Sequence, residues 1–206
     1  METSVRQFEI LLPEAGFSPA ETALLSRYYA MVLKWNPRLH LTTITEPGEF
    51  LARHVLESAF AARQLLPDVR AVWDIGSGLG IPGMVIAILR PDLTLHLVEA
   101  GKKKALFLEE AAAALPLPNV RVVPRRFESL PPLPEDACLT ARAVEEMAQL
   151  LPQLIDMATG ARQILLLGGF GLAEGFKSAV AAGWEVQQSL IPGSERRLLL
   201  SAARST

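Results

Sequence analysis

The stretch Val72-Trp73-Asp74-Ile75-Gly76-Ser77-Gly78-Leu79-Gly80-Ile81-Pro82-Gly83 decides the fold of this 206-residue chain. A short apolar run, residues 71–75, ends in a cluster of glycines, and a second apolar run of helical length, residues 81–89, follows. Glycines at a strand-to-helix turn tolerate positive φ and let a ligand approach the backbone closely. Nucleotide-like ligands bind at such turns, at the carboxyl ends of the strands. Two frames compete for this one. Gly78, Gly80 and Gly83 match the G-x-G-x-x-G dinucleotide fingerprint, but Gly76-Ser77 then falls at the end of the preceding strand, a poor fit. The other frame puts the turn at Gly76-Ser77-Gly78-Leu79-Gly80, directly after Asp74. A carboxylate there suits a cationic, amine-bearing ligand better than a pyrophosphate. S-adenosylmethionine carries a sulfonium and an ammonium and no phosphate, so it fits this frame; an ordinary glycine-rich turn is the bland alternative.

Outward from the turn, strands and helices alternate. Residues 93–98 read as a second strand ending at Glu99, 103–115 as a helix, and 120–123 and 137–140 as two more strands. A helix over 144–157 and a strand over 163–167 follow. Residues 184–190 and 197–200 flank Ile191-Pro192-Gly193-Ser194 and read as an antiparallel hairpin. This order predicts an α/β, Rossmann-like doubly wound sheet, mostly parallel, over residues 69–206. Glu99 lies 25 residues after Asp74, where a strand-end carboxylate can accept hydrogen bonds from both hydroxyls of a ribose. Six prolines among positions 116–134 mark loops around a short strand. Residues 1–68 read as a helical extension packed on that core. Ser18-Pro19-Ala20-Glu21 fits a capping box with proline at the first helical position. Leu24, Leu25, Tyr28, Met31, Val32 and Trp35 then recur at helical spacing until Asn36-Pro37 is expected to stop the run. A second helix is expected over 49–66, with Phe50, Leu51, Val55, Ala59 and Ala62 on its apolar side.

Composition narrows the function classes. Half the residues are hydrophobic, enough for a sizeable core. With 20 Lys+Arg against 22 Asp+Glu the formal net charge is −2, which argues against a protein that coats nucleic acid but leaves room for local basic patches. Cys138 is the single cysteine and the three histidines are scattered, so neither a disulfide nor a metal site is expected. With no leader-like start and no apolar run near the ~20 residues of a membrane span, the expectation is a soluble cytoplasmic protein, a monomer.

With these residues assembled, the chain resembles the glucose-inhibited division protein B family of bacterial small-subunit rRNA methyltransferases. The resemblance runs from about residue 33 to about residue 200. It is carried by Lys34-Trp35-Asn36, Leu41-Thr42, Arg53-His54-Val55-Leu56-Glu57-Ser58, Asp74-Ile75-Gly76-Ser77-Gly78, Pro82-Gly83, Arg126-Phe127-Glu128 and Arg142-Ala143. It implies the class I methyltransferase sheet, whose last strand is antiparallel. It also implies methyl transfer from S-adenosylmethionine, leaving S-adenosylhomocysteine, to N7 of one guanine in 16S rRNA of the small ribosomal subunit. By the same resemblance Gly76 and Ile81 belong to the cofactor's loop, and Phe127 and Glu128 to its adenine end. Arg142 falls where cofactor and target base meet, in a positioning role. Read without it, Phe127 is more often core and Arg142 a surface cation. There are departures: His40 stands where the family has Asn, Ala141 where it has Ser, and Gly168-Gly169 where a Lys-Gly pair is common.

The chemistry implied needs little of the protein beyond alignment. Guanine N7 has a free lone pair at neutral pH, so its methylation requires no general base, and positioning can carry the rate. RNA must be held by localised charge: residues 101–126 hold six cations (Lys102, Lys103, Lys104, Arg121, Arg125, Arg126) against two anions. Arg53, Arg196 and Arg197 add to this if the fold gathers them. On residues alone, Lys102 to Lys104 read more readily as a solvated helix start, His54 as a satisfied polar group at a helix–sheet interface, and Cys138 as inert packing. A small-molecule methyltransferase and a non-catalytic cofactor-binding regulatory module remain the rival readings, with an NAD-dependent oxidoreductase more distant.

Overall fold

The strand–helix alternation resolves into one seven-stranded sheet in the computed structural model, which describes residues 1–142, 147–180 and 182–204. Five strands are parallel: β1 (Ala71–Ile75), β2 (Thr94–Val98), β3 (Val120–Val123), β4 (Ala137–Arg142) and β5 (Gln163–Gly169). The hairpin strands β6 (Trp184–Leu190) and β7 (Arg197–Arg204) complete the order β3-β2-β1-β4-β5-β7-β6, with β7 antiparallel to both neighbours. The expected doubly wound sheet with an antiparallel last strand is therefore present. β4 as far as Ala141 and the start of β5 are buried, as strands covered on both faces must be. β6 forms an edge, mostly exposed and polar.

The crossover helices are α5 (Gly83–Leu89), α6 (Lys102–Ala114), α7 (Met147–Met157) and α8 (Phe170–Ala179). Along β5 the side chains alternate between two cores. Ile164 and Leu166 join Leu151 and Leu154 of α7 and Phe176 of α8 on one face. Leu165 and Leu167 face the other, where Met84 and Ile86 of α5 meet Phe107 and Leu108 of α6. That second core also contains Phe8, Leu12, Leu25, Tyr28 and Tyr29 from α1 (Glu2–Glu14) and α2 (Pro19–Leu39). The helix expected from residue 144 is seen from Met147; residues 144–146, and Ala143 of the Arg142-Ala143 pair, lie outside the described residues. Among the described residues no helix is long and apolar enough to cross a membrane.

Three local readings are corrected. Asn36-Pro37 does not stop α2, which runs to Leu39 and closes at His40 in the left-handed region (φ 48°). Pro37 has no N–H to give the Leu33 carbonyl and crowds it, but only two helical residues follow before the cap at His40. Asn36 meanwhile exchanges two 2.9 Å hydrogen bonds with the Thr42 backbone, fixing the chain just beyond the helix. The helix expected over 49–66 is three pieces: α3 (Pro47–Phe50), a π-helical stretch (Leu51–Leu56) and α4 (Glu57–Arg63). It ends early because the Gln163 side chain takes over, donating to the Gln64 carbonyl (2.8 Å) and accepting from the Leu66 N–H (3.0 Å). Finally, α5 starts at Gly83 rather than at residue 81, and Ile81 is core.

Candidate active site

Strand order reverses between β1 and β4, so the crevice at their carboxyl ends is the topological switch point. Asp74 of β1 lies in register with Thr140 of β4, which places the glycine turn beside Arg142. The turn is the one the acidic frame describes. Gly76 and Gly78 have φ of +68° and +58°, and a Cβ on Gly76 would meet nothing within 4 Å, so this part of the loop faces open space. Gly83 is the opposite case. A Cβ there would lie 2.3 Å from a Leu97 methyl and 2.7 Å from Asp74 Oδ2, so only glycine lets α5 start this close to the sheet.

Asp74 is fully buried. Its Oδ2 accepts from the Gly83 N–H (3.1 Å), while Oδ1 is buried with no hydrogen-bond partner. Burial pushes the carboxyl up to about 7, against the pull of Ser77 and the Gly83 amide. Glu99, at the end of β2, accepts from the Gly78 N–H (2.9 Å) and the Gly101 N–H (2.7 Å), tying the glycine turn to the start of α6. Each of its oxygens retains a lone pair for a further donor. From the far side, the Tyr28 hydroxyl of α2 donates to the Leu79 carbonyl (2.5 Å), so the N-terminal helices hold the turn in place.

A second cluster adjoins the turn. His54, in the π-helical stretch, is 3% exposed. Its Nδ1 lies 2.5 Å from an Arg142 terminal nitrogen, and its Nε2 lies 2.9 Å from Thr42 Oγ1. A guanidinium only donates, so Nδ1 accepts and the proton sits on Nε2, donated to Thr42. Burial, and then the neighbouring Arg142, push the imidazole down to about 3, so it is neutral. Below it lies Glu57, only 2% exposed, facing Arg53 Nε at 3.3 Å, Arg197 Nε at 2.5 Å and Arg142 at 4.0 Å. Arg53, Arg142 and Arg197, with Gly168, Gly169 and Ile191, line a cleft of about 150 Å³ over that carboxylate.

Around one turn, then, Glu99 holds Gly78, Asp74 holds Gly83 and the Gly76 N–H bonds the Val98 carbonyl, while Arg53, Arg142 and Arg197 share one carboxylate. Other expected site residues stand apart. The Ile81 side chain is in the core, which leaves only its backbone for a ligand. Phe127, half-buried, and Glu128, exposed, line a separate cleft of about 230 Å³ against Gln153, Asp156 and Met157. Lys102, Lys103 and Lys104 flank a groove of about 370 Å³ with Arg38 and Glu99. Arg125, Arg126 and Arg196 are exposed. Glu57 and Tyr28 were not picked out as site residues. For Glu57 the available signal was its i,i+4 spacing from Arg53 on a helix. Nothing local announces its meeting with Arg142 and Arg197. Among the described residues no group of three or more His, Cys, Asp or Glu could hold a metal ion.

Solved structures share this architecture at low sequence identity, and so speak for the fold alone. A SAM dependent methyltransferase from Aquifex aeolicus superposes with a TM-score of 0.59 at 12% identity, covering 76% of this chain and 93% of that one. A precorrin-6y C5,15-methyltransferase from Geobacter metallireducens gives 0.57 at 19% identity over 80% and 91%. Sequence relatives are closer. A ribosomal RNA small subunit methyltransferase G from Xanthomonas axonopodis pv. citri is 36% identical, covering 89% of this chain and 87% of its own length. A protein of the same name from Sorangium cellulosum is 41% identical over 73% and 65%. The family model described as rRNA small subunit methyltransferase G matches residues 21–186. That span takes in the glycine turn, Glu99, the π-helical stretch and Arg142, and the chain belongs to this family, GidB.

Proposed function

We propose that the chain is a methyltransferase that uses S-adenosylmethionine to methylate N7 of a guanine in 16S rRNA of the small ribosomal subunit. The observation that carries this is the pairing, at one switch point, of an open positive-φ glycine turn with a cluster of guanidinium groups. The first is a cofactor cradle and the second an anion-holding surface, and family membership supplies the reaction class. The residues present fit the cofactor. Gly76 leaves the cradle open, Glu99 has lone pairs for ribose hydroxyls, and the unpartnered Asp74 Oδ1 matches a cationic ligand. When bound, S-adenosylmethionine supplies an electrophilic methyl group on its sulfonium.

This chain's residues then have three tasks. Asp74, Gly76, Gly78 and the Ile81 backbone hold the methionine end, and Phe127 with Glu128 is assigned the adenine end. Arg142, held by His54 and Glu57, orients the target base beside the methyl group. Arg53, Lys102, Lys103, Lys104, Arg125, Arg126, Arg196 and Arg197 are assigned contacts to RNA phosphates, which position without reading sequence. No residue is needed as a general base, since N7 carries no proton. His54 fits that picture, because it is neutral and already engaged at both ring nitrogens.

The test is methyl transfer from labelled S-adenosylmethionine to unmethylated 30S subunits, naked 16S rRNA or a metabolite extract, with the labelled base identified after nuclease digestion. Label at guanine N7 in 30S or 16S rRNA is expected. Label confined to the metabolites would make this a small-molecule enzyme, and binding without transfer to anything would make it a regulatory module.

A further inference from the structure

We propose that the cleft between Arg53, Arg142 and Arg197 is a phosphate subsite, taking one backbone phosphate of the RNA beside the base to be methylated. The source of the phosphate rests on the RNA reading above; the site itself rests on the geometry. Three guanidinium groups share one buried carboxylate, so the cluster carries two positive charges more than it balances internally. His54 is neutral and adds none. Glu57 is 2% exposed, whereas the side chains of Arg53, Arg142 and Arg197 are 34%, 22% and 28% exposed. The carboxylate is therefore the floor, and the cations form the rim.

The manner of pairing matters as much as the count. Arg53 and Arg197 both approach Glu57 through Nε, the nitrogen nearest the main chain. Neither Nε has a well-formed hydrogen bond, and the terminal nitrogens of both residues donate none among the described residues. Two forks are thus pinned by their stems with their tips free, the arrangement that grips a tetrahedral oxyanion. The wall beside them is Gly168-Gly169, at the end of β5 and directly opposite Leu198 and Arg197 of β7, so no side chain closes the cleft from that edge.

Placement selects the anion. The cleft lies at the carboxyl ends of β4 and β5, and the glycine turn at the end of β1, so one to two inter-strand steps, about 5–10 Å, separate them. That is near enough for a phosphate flanking the reacting nucleotide. The other anion available at this switch point is the carboxylate of the cofactor's methionine, and the experiment separates the two.

The cofactor-loaded enzyme, with arginine side chains labelled by 15N, is titrated with inorganic phosphate while the Nε–Hε resonances are followed. Saturable shifts at Arg53 and Arg197 are expected. In parallel, binding to unmethylated 30S subunits is measured across a salt series. Arg197→Ala is expected to weaken binding roughly tenfold at low salt and to reduce the slope of log K against log salt by about one. Arg197→Lys is expected to keep the slope. S-adenosylmethionine affinity is expected to be the same in all three. If Arg197→Ala melts below the assay temperature, Arg53→Ala is measured in its place with the same expectation. Absent phosphate shifts, or an unchanged salt slope, overturn the proposal. So does a loss of S-adenosylmethionine affinity in Arg197→Ala, which would hand the cleft to the cofactor's carboxylate. If the wild-type enzyme methylates no RNA, the functional reading fails while the phosphate titration still decides the subsite.

Discussion

Asp74 and His54 are both buried and both displaced from their ordinary titration ranges, in ways that oppose each other. The His54 imidazole falls from 6.5 to about 3, so between those values the unfolded chain holds a proton that the folded one lacks, and stability rises with pH. Asp74 rises from 3.8 to about 7, so over that window the folded chain holds the extra proton, and stability falls as pH rises. From about pH 4 to 6.5 the two slopes offset. Asp74→Asn removes one of them. Its melting temperature is therefore expected to drop more steeply than the wild type's on acidification from pH 6.5 to 4. A parallel or shallower drop would place the acid dependence elsewhere. The sequence located Asp74 from its place before the turn, but not that one carboxylate oxygen is committed to Gly83 and the other is left bare. That depends on how tightly α5 docks, a packing detail without local signature.

At the scale of elements, the five parallel strands were legible as short apolar runs closed by glycine, a charge or proline, and the last two from the turn residues Ile191-Pro192-Gly193-Ser194 between them. The helices were legible only where periodicity was clean. α8 carries Gly171 and Gly175, poor helix formers, and gave no pattern. The π-helical stretch stayed hidden because Leu51 and Val55 keep helical spacing through it. Such a stretch accommodates one residue more than an α-helix. Here it lets Phe50 meet Phe8 and Tyr29 while His54 still reaches Arg142. The Ser58 hydroxyl donates to the His54 carbonyl (2.6 Å), steadying the junction with α4. Deleting the exposed Ala52 closes the stretch into a regular α-helix while Phe50 and Glu57 keep their faces. Circular dichroism of that variant is expected to show a folded chain. Methyl transfer is expected to fall about a hundredfold, because His54 no longer sits between Thr42 and Arg142. Transfer at the wild-type rate would deny the π-helical stretch a role in the site.

At the scale of the whole molecule, the net charge of −2 hid a second concentration of positive charge, besides the one in residues 101–126. It is assembled from Arg53, Arg142 and Arg197, far apart in the chain, so no window of sequence contains it. The same long-range assembly bears on how residues 1–68 relate to the sheet. The sequence reads them as an extension packed on the core, and Phe8, Leu12, Leu25, Tyr28, Tyr29 and Val32 are all fully buried in one cluster with Val72 of β1 and Leu95 of β2. Each such side chain contributes about 1.5–3 kcal/mol when buried, so the six together reach roughly 10 kcal/mol or more. That is comparable with the whole stability of an ordinary domain, about 5–15 kcal/mol. α2 also donates through Tyr28 to the glycine turn, so the loss would reach that turn directly. A chain lacking residues 1–67 is therefore expected to show no cooperative thermal transition and no S-adenosylmethionine binding in calorimetry. A truncated chain that melted cooperatively and still bound the cofactor would show that the sheet and its crossover helices stand alone. The N-terminal helices would then be an appended layer, and the Tyr28 contact would be dispensable for the turn.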